Sequence, residues 1–172
     1  MDKIMAKRVW QAMGLATPAY CLLTAQSDPE EVVERLGLPL FVKPNLEGSS
    51  LGASKVTHPA ALAAAYRQAA AFGPVLAEAC IEGPEYTVAI LEDAPLPAIR
   101  LETPRVFYDF AAKYRAEDTR YRCPAGLTAT EEAALGELAW RAFAALGARS
   151  WGRVDLLRDA EDRFWLLEVN TD

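Results

Sequence analysis

The sequence has little of what disulfide-stabilised proteins and thiolate metal sites require. It contains three cysteines in 172 residues, Cys21, Cys80 and Cys123, and they lie far apart with no CxxC pair. This spacing fits neither a disulfide framework nor a zinc site, and it favours a reducing compartment. The chain also has no GxxxxGK[ST] loop and no GxGxxG loop. The two commonest glycine-rich nucleotide motifs are therefore excluded.

The chain has no excess of basic residues and no long apolar run. Its 18 Lys and Arg stand against 24 Asp and Glu, for a net charge of -6, which argues against a general nucleic-acid binder. Nothing approaches the roughly 18 apolar residues of a membrane span, and the first residues, MDKIMAKRVWQAMG, lack the apolar core of a signal peptide. With 52% apolar and 24% charged residues, we expect one cytoplasmic globular domain with no membrane or nucleic-acid partner.

Helical and strand patterns alternate along the chain, which predicts an α/β architecture. Ser27 is the predicted cap of the second helix, and Thr128 or Thr130 of the last. Residues 103–127 are rich in Asp, Arg, Tyr and Pro and are predicted to be irregular. The predicted helices are 2–13, 28–36, 58–72 and 129–146, and the predicted strands are 18–24, 38–44, 53–57, 75–81, 85–92, 96–102, 150–159 and 163–170.

The last two strands carry the sharpest chemical pattern. If they pair as a hairpin that turns near 161–162, one symmetric register places Asp155 opposite Glu168 and Arg153 opposite Asn170. Opposed carboxylates about 5 Å apart repel unless a cation lies between them. Two carboxylates and an amide oxygen suit Mg²⁺, and an adjacent arginine suits phosphate. The alternative is a solvent-facing edge hairpin. Under either interpretation, four apolar neighbours are predicted to face the core: Val154, Leu156, Leu167 and Val169.

Lys43 and the loop that follows it form a second pattern. Lys43 ends a strand of Leu, Phe and Val, directly before Pro44, and can meet a phosphate there, although a lysine that only reaches to solvent is the commoner case. The loop EGSSLG (47–52) offers backbone N–H groups and two hydroxyls in a geometry that glycine permits. These are the components of a phosphate-binding loop.

In combination these segments resemble a known family. FVKP, EGSSLGASKV, EGPEYTVAIL, YDFAAKY, GRVDLL and LLEVN occur in this order and resemble the D-alanine–D-alanine ligases of the ATP-grasp superfamily. The resemblance implies an α/β fold, more closely described as α+β, in which two lobes sandwich the nucleotide. The implied lobes are residues 15–79 and 80–172, with helix 2–13 packing on the second. An N-terminal domain and a C-terminal end of the family would be missing.

The resemblance also implies a role for individual residues in binding two cofactors, ATP and Mg²⁺ (or Mn²⁺). The implied ATP-binding residues are Lys3, Lys43 and Lys113 for the phosphates, Ser49 and Ser50 in the loop that closes over them, Glu78 and Ile81 beside adenine, and Glu85 at the ribose. Ala79 stands where the family has a lysine that contacts adenine. Asp155, Glu168 and Asn170 would bind two metal ions.

Four residues are implied to act in catalysis. Arg153 would stabilise the tetrahedral intermediate, Lys113 would contact the transferred phosphate, and Tyr114 would help to hold the second D-alanine. Ser49 would act from the closing loop. In the implied reaction, one D-alanine carboxylate attacks the γ-phosphate of ATP. The amine of a second D-alanine then displaces phosphate from the acyl phosphate, which yields a dipeptide for peptidoglycan. Such chemistry needs positioning and charge neutralisation more than a protein nucleophile, in agreement with a chain whose only histidine, His58, lies outside these motifs.

Two alternatives remain open from the sequence. One is a different ATP-grasp carboxylate–amine ligase, and the other is a non-catalytic ATP-binding remnant. Because the implied family has further segments at both ends, we expect this chain alone to bind ATP and Mg²⁺ with weak or absent ligation. Lys3 lies near a terminus, where chains fray. Relatives of full length are implied to be dimers through regions outside this chain, so its own oligomeric state stays open.

Overall fold

The computed structural model describes residues 1–48, 50–102 and 120–171, and shows two antiparallel sheets with helices packed on them. The helices are α1 (Lys3–Ala12), α2 (Pro29–Leu36), a 3-10 turn (Pro59–Ala61), α3 (Leu62–Ala70) and α4 (Ala129–Ala145). The strands are β1 (Tyr20–Leu23), β2 (Leu40–Pro44), β3 (Ser54–Val56), β4 (Val75–Ala79), β5 (Glu85–Leu91), β6 (Ala94–Pro95), β7 (Ile99–Glu102), β8 (Arg120–Arg122), β9 (Trp151–Arg158) and β10 (Phe164–Asn170).

The smaller sheet lies in the first half of the chain, with strand order β1-β4-β2-β3. Strand β2 alternates buried residues with partly exposed ones, as a half-covered antiparallel strand requires, whereas β4 lies between β1 and β2 and is buried along four of its five residues. Helices α2 and α3 cover one face and form its core, to which Leu40, Val42 and Ala69 contribute fully buried side chains.

The larger sheet has the order β10-β9-β5-β7-β8, with β6 paired to β5. Helix α4 packs across it and buries Phe143 and Leu135 completely. The helix begins with a capping box, in which Thr128 accepts from the Glu131 N–H while the Glu131 carboxylate accepts from the Thr128 N–H. Of the two threonines predicted as its cap, Thr128 is the one used.

Helix α1 belongs to the core of the larger sheet, although it precedes the smaller one in the chain. Trp10 is fully buried, and its indole N–H donates to the Ala142 carbonyl in α4 at 3.0 Å. Ala6 and Leu15 lie in the same core. The N-terminal end of α1 therefore lies between the larger sheet and the loop that follows β2.

The structure differs from the sequence-based prediction at several element ends. Asp28, rather than Ser27, caps α2, because its carboxylate accepts from the Glu30 N–H while the Ser27 hydroxyl accepts from the Thr24 N–H. The predicted helix 58–72 is a 3-10 turn followed by a shorter α-helix. Residues 103–127 were predicted to be irregular, but within this segment Arg120–Arg122 form β8, which pairs with β7. No helix in the described ranges has the length and apolar character needed to cross a membrane.

Candidate active site

The hairpin of β9 and β10 has the register predicted around the proposed metal ligands. Asp155 pairs with Glu168, and Arg153 pairs with Asn170. A β-bulge lies between Leu166 and Glu168, so Leu167 is the extra residue of β10. The bulge explains one wrong prediction: Leu166 is fully buried, whereas Leu167 is only partly covered. Beyond the bulge the alternation restarts, and Glu168 and Asn170 join the face of β9 that carries Asp155.

Asp155 is a buried carboxylate with several donors around it. Arg153 donates to its two oxygens from Nε and Nη2 at 2.8 and 3.0 Å, and Asn170 Nδ2 donates at 3.1 Å. Thr87 lies opposite Asp155 on β5 and donates its hydroxyl at 2.7 Å. Because Asp155 is only 4% exposed, these donors are needed to hold its charge away from water.

The residues of this hairpin fit a hard divalent cation. Asp155 and Glu168 offer carboxylate oxygens and Asn170 an amide oxygen, at paired positions on adjacent strands. Within the described ranges, no group of three or more His, Cys, Asp and Glu side chains surrounds a point where a metal could lie. A site with two carboxylates is typical of Mg²⁺, which keeps waters and binds substrate phosphates as further ligands. For Asn170 to present its oxygen, its amide must turn away from its present hydrogen bond to Asp155.

A second charged cluster lies where β2 and β4 face α1. Glu78 on β4 is 3% exposed, and its Oε1 lies 2.7 Å from Lys43 Nζ while its Oε2 lies 2.5 Å from Lys7 Nζ. Burial by itself would raise the pKa of the Glu78 carboxyl, but the ammonium groups of Lys43 and Lys7 outweigh burial and lower it. The cluster therefore holds one carboxylate between two cations, an excess of positive charge that suits a phosphate.

Lys3 is firmly held, contrary to the expectation that it would fray. It is 6% exposed, and its ammonium donates to the backbone carbonyl oxygens of Glu47 and Asn45 and lies 3.9 Å from Glu168 Oε2. The Asn45 side chain fixes the start of α1, because its Oδ1 accepts from the Ile4 N–H and its Nδ2 donates to Asp2, both at 2.9 Å. The end of β2, the start of α1 and the face of the hairpin that carries Glu168 therefore meet at Lys3.

Helix α1 joins the two clusters. Lys3 and Lys7 are four residues apart and lie on one side of the helix. Lys3 points to Glu168 and the loop after β2, while Lys7 points to Glu78. The structure thus places Lys3 and the hairpin that carries the three predicted metal ligands at one end of this helix segment, and Glu78 with Lys43 at the other.

Four residues at the site were missed from the sequence: Lys7, Thr17, Asn45 and Thr87. The burial of Lys7 could have been predicted, because Lys3, Lys7 and Trp10 share one side of an amphipathic helix. A lysine on the buried side of a helix requires a partner. The other three are single polar residues in apolar surroundings, and only the pairing of distant segments gives them partners.

The other predicted nucleotide residues lie around the connection between the two sheets. Glu85 begins β5 and Ile81 lies in the connection after β4, both partly exposed. Ala79 and Cys80 donate their N–H groups to Ala19 and Pro39. Ser50 follows the loop after β2 with a positive φ of 57°. Ser49, Lys113 and Tyr114 lie outside the described residues, so their predicted roles stay predictions.

Comparison with known proteins gives consistent matches over the chain. Residues 9–172 match the family described as D-ala D-ala ligase C-terminus. The chain is 58% identical over 172 residues to the D-alanine–D-alanine ligase of Halorhodospira halophila, covering 99% of this chain and 56% of that protein. It is 54% identical to the ligase of Alkalilimnicola ehrlichii, over 99% of this chain and 55% of that one. The chain thus spans about half the length of the curated relatives it matches.

Solved structures match the fold. The D-alanine–D-alanine ligase of Bacillus anthracis superposes with a TM-score of 0.84 at 29% identity, over 99% of this chain and 56% of that one. A structure of the same enzyme complexed with ATP gives 0.82 at 25% identity, over 99% and 54%. The D-Ala:D-Ser ligase of Enterococcus faecalis gives 0.82 at 29% identity, over 99% and 52%. The mixed helix and antiparallel-sheet architecture is therefore the ATP-grasp fold of these ligases.

Proposed function

Because the chain belongs to the D-alanine–D-alanine ligase family through its C-terminal domain, we propose that it binds ATP with Mg²⁺ and forms the catalytic part of such a ligase. One observation carries the proposal. Helix α1 presents Lys3 to the carboxylate hairpin and Lys7 to the Lys43–Glu78 pair. The oxygen ligands for a cation therefore lie at one end of a short helix segment, and Lys43, a cation for phosphates, lies at the other. A metal-bound triphosphate requires both kinds of group close together.

The proposed roles follow the charges of these groups. Lys3 and Lys43 would bind nucleotide phosphates, and the backbone around Glu78 and Ile81 would receive adenine, with Glu85 at the ribose hydroxyls. Residues 15–79 would form one lobe and 80–172 the other, with ATP between them. We also propose, from the resemblance, that Ser49 and Ser50 lie in the loop that closes over the phosphates. Lys113 would contact the transferred phosphate, and Tyr114 would help to hold the second D-alanine.

Asp155, Glu168 and Asn170 would hold two Mg²⁺ ions, whose contribution is to neutralise the charge that develops on the phosphates during transfer. Arg153 lies beside Asp155 on the same face of the hairpin, so its guanidinium would stabilise negative oxygens that the metals do not reach. Thr87 would keep the Asp155 carboxylate oriented when the metal ligands rearrange. Each of these groups positions or neutralises charge, and none is required to act as a nucleophile.

For the whole protein we propose the joining of two D-alanines through an acyl phosphate, as part of peptidoglycan synthesis. The proposed place is the cytoplasm, where ATP is available and the three free cysteines stay reduced. The acceptor amino acid is a separate matter, because a D-Ala:D-Ser ligase has the same fold. Measuring ligation with D-alanine, D-serine and other amino acids as acceptors therefore tests the alternative that the protein is a different carboxylate–amine ligase.

The test of nucleotide binding is calorimetric titration of the folded chain with Mg²⁺ and ATP. Lys43→Ala and Asp155→Asn should each weaken binding by roughly tenfold to a hundredfold, since each removes a charged contact worth about 1.5–3 kcal/mol. Arg67→Ala on α3 and Glu34→Gln on α2 are matched controls, because both positions are exposed and lie on helices that cover the smaller sheet. These controls should bind like the parent chain.

Two outcomes contradict the proposal in different ways. If the folded chain does not bind Mg²⁺ and ATP, the proposed site is wrong. If it binds both, but phosphate release in the presence of amino acids is absent from the chain and from a full-length relative that carries these residues, the site is a non-catalytic nucleotide-binding remnant.

A further inference from the structure

Lys7 is a fully buried lysine at the centre of the charged cluster. Its ammonium lies 2.5 Å from Glu78 Oε2, donates to Thr17 Oγ1 at 2.6 Å and to the Pro18 carbonyl at 3.4 Å, and lies 5.5 Å from the centre of the Tyr20 ring. Thr17 and the Pro18 carbonyl thus accept hydrogen bonds from the ammonium group, and Glu78 is its counter-ion. Because Lys7 is fully buried, it cannot contact a phosphate, and any effect on a nucleotide must come from its contacts with neighbouring residues.

The contacts of Lys7 extend to both sheets. The Thr17 hydroxyl, which accepts from Lys7, donates to the Leu166 carbonyl in β10 at 2.9 Å. On the other side, Lys7 contacts Glu78, which contacts Lys43. A continuous polar path thus runs from the residue before the bulge of the hairpin to the lysine at the end of β2.

We propose that Lys7 is a positioning residue that keeps the Glu78 carboxylate neutralised while Lys43 turns from Glu78 to the phosphates of a bound nucleotide. The inference rests on the proposed function, since it concerns Lys43 as a phosphate ligand. Lys7 and Lys43 contact different oxygens of Glu78, so Lys43 can leave without displacing Lys7.

The burial of Glu78 is the physical reason. At 3% exposure, a carboxylate that lost its only cation would be left charged and without water, which is strongly unfavourable. With Lys7 in place, the carboxylate keeps a buried counter-ion at every stage. Lys43 is the more exposed of the two lysines, with 18% of its side chain accessible, and it is therefore the one free to change partners.

A proton accompanies this exchange. Burial lowers the pKa of Lys7 to about 8, Glu78 opposes the lowering, and the like charge of Lys43 adds to it. The charged and titratable groups that face Lys7 are Glu78 on β4, Lys43 on β2 and the phenol of Tyr20 on β1. When Lys43 moves to a phosphate, its repulsion weakens and the pKa of Lys7 rises. Near pH 8 the nucleotide-bound form therefore takes up part of a proton.

The experiment is calorimetric titration of the chain with a Mg²⁺-bound, non-hydrolysable ATP analogue in two buffers of different ionisation enthalpy. We expect uptake of roughly a few tenths of a proton at pH 8 and none at pH 6.5, where Lys7 is already charged. Lys3→Ala is the matched control on α1. It should weaken binding but keep the proton uptake, because the charges that shift the pKa of Lys7 are those of Glu78 and Lys43.

Two variants at position 7 separate positioning from folding. Lys7→Arg keeps a permanent charge, so it should bind the analogue without proton uptake at either pH. Lys7→Met should bind about tenfold or more weakly at pH 6.5, since the exchange then leaves Glu78 without a cation. If Lys7→Met does not fold, the comparison of proton uptake at pH 8 between the parent chain and Lys7→Arg still tests the proposal.

The failures are distinguishable. Binding by the parent chain with no proton uptake at pH 8, or uptake that survives in Lys7→Arg, would show that Lys7 has no part in the exchange while the nucleotide site stands. No binding by the folded parent chain would overturn the proposed function and this inference with it.

Discussion

Gly152 in β9 lies close to both Phe143 of α4 and the backbone of Asn170 in β10. A Cβ atom placed on Gly152 would lie 2.5 Å from Cε2 of Phe143 and 2.8 Å from the Asn170 carbonyl oxygen. Phe143 is fully buried, and the Asn170 oxygen belongs to the backbone of β10. Neither neighbour can move without opening the core or the hairpin.

We therefore predict that Gly152→Ala lowers stability by about 1–3 kcal/mol, the usual cost of overpacking a core. For a chain of this size, the thermal midpoint should fall by about 2–12 °C. Because the displaced carbonyl belongs to Asn170, a proposed metal ligand, affinity for Mg²⁺ and ATP should fall as well. Circular dichroism during heating gives the first quantity, and calorimetric titration below the transition gives the second.

Gly136→Ala is the matched control, because it makes the same chemical change in α4. There, among the residues that the structure describes, the added Cβ meets the Pro95 side chain at 3.4 Å, an ordinary van der Waals distance. Replacing a mid-helix glycine by alanine stabilises by about 0.5–1 kcal/mol, so the midpoint should rise. The reasoning is refuted if Gly152→Ala melts at or above the temperature of the parent chain. Adding Phe143→Leu to Gly152→Ala should cost less than the sum of the two single changes, since the smaller side chain relieves the contact.

Three further predictions address the hydrogen bonds of the site and of α4. Thr87→Val should lower the free energy of unfolding by about 1–3 kcal/mol, because Asp155 loses a donor in a buried position; unchanged stability in urea denaturation would contradict this. Asn45→Ala should lower the free energy of unfolding by a similar amount, because the Ile4 N–H and the Asp2 carboxylate each lose a hydrogen-bond partner, and it should also weaken binding of Mg²⁺ and ATP. Asn45→Asp should restore at most the hydrogen bond from Ile4, which the side-chain oxygen accepts. Hydrogen bonds from Thr128, with Arg158 as a further partner, lower the pKa of Glu131 from 4.5 to about 2. The stabilisation is therefore present above pH 4.5 and lost as the pH falls to 2, so Glu131→Gln should melt below the parent chain at pH 6 and together with it near pH 2.

The register of the final hairpin could be predicted because it depends on simple pairing arithmetic and on charge. Asp155 opposite Glu168 is one symmetric arrangement of two strands with a short turn, and the structure confirms it. The bulge could not be predicted, because Leu166 and Leu167 are identical residues. Which of the two faces the core depends on tertiary packing and not on side-chain type.

The cationic cluster was only half predictable. Lys43 stood out since it ends an apolar strand. The helical pattern could have shown that Lys7 is buried, but its partner Glu78 lies on a strand distant in sequence, so the ion pair itself could not be predicted. The cap of α2 shows the same limit locally, because Ser27 and Asp28 both suit the position and backbone geometry chooses between them.

The position of α1 has a consequence for how the molecule folds. The helix and the segment that follows it form contacts across very large separations in sequence: Trp10 in α1 reaches Ala142, and Thr17 after α1 reaches Leu166, 149 positions away. During synthesis α1 can meet Asn45 early, but Trp10 cannot make its bond to Ala142 until most of the larger sheet has left the ribosome. Its apolar side must wait exposed or bind elsewhere in the meantime. Contacts between residues so distant in sequence slow folding. We therefore expect the sheet that carries Asp155 and Glu168 to form first, and the helix that carries Lys3 and Lys7 to dock on it last.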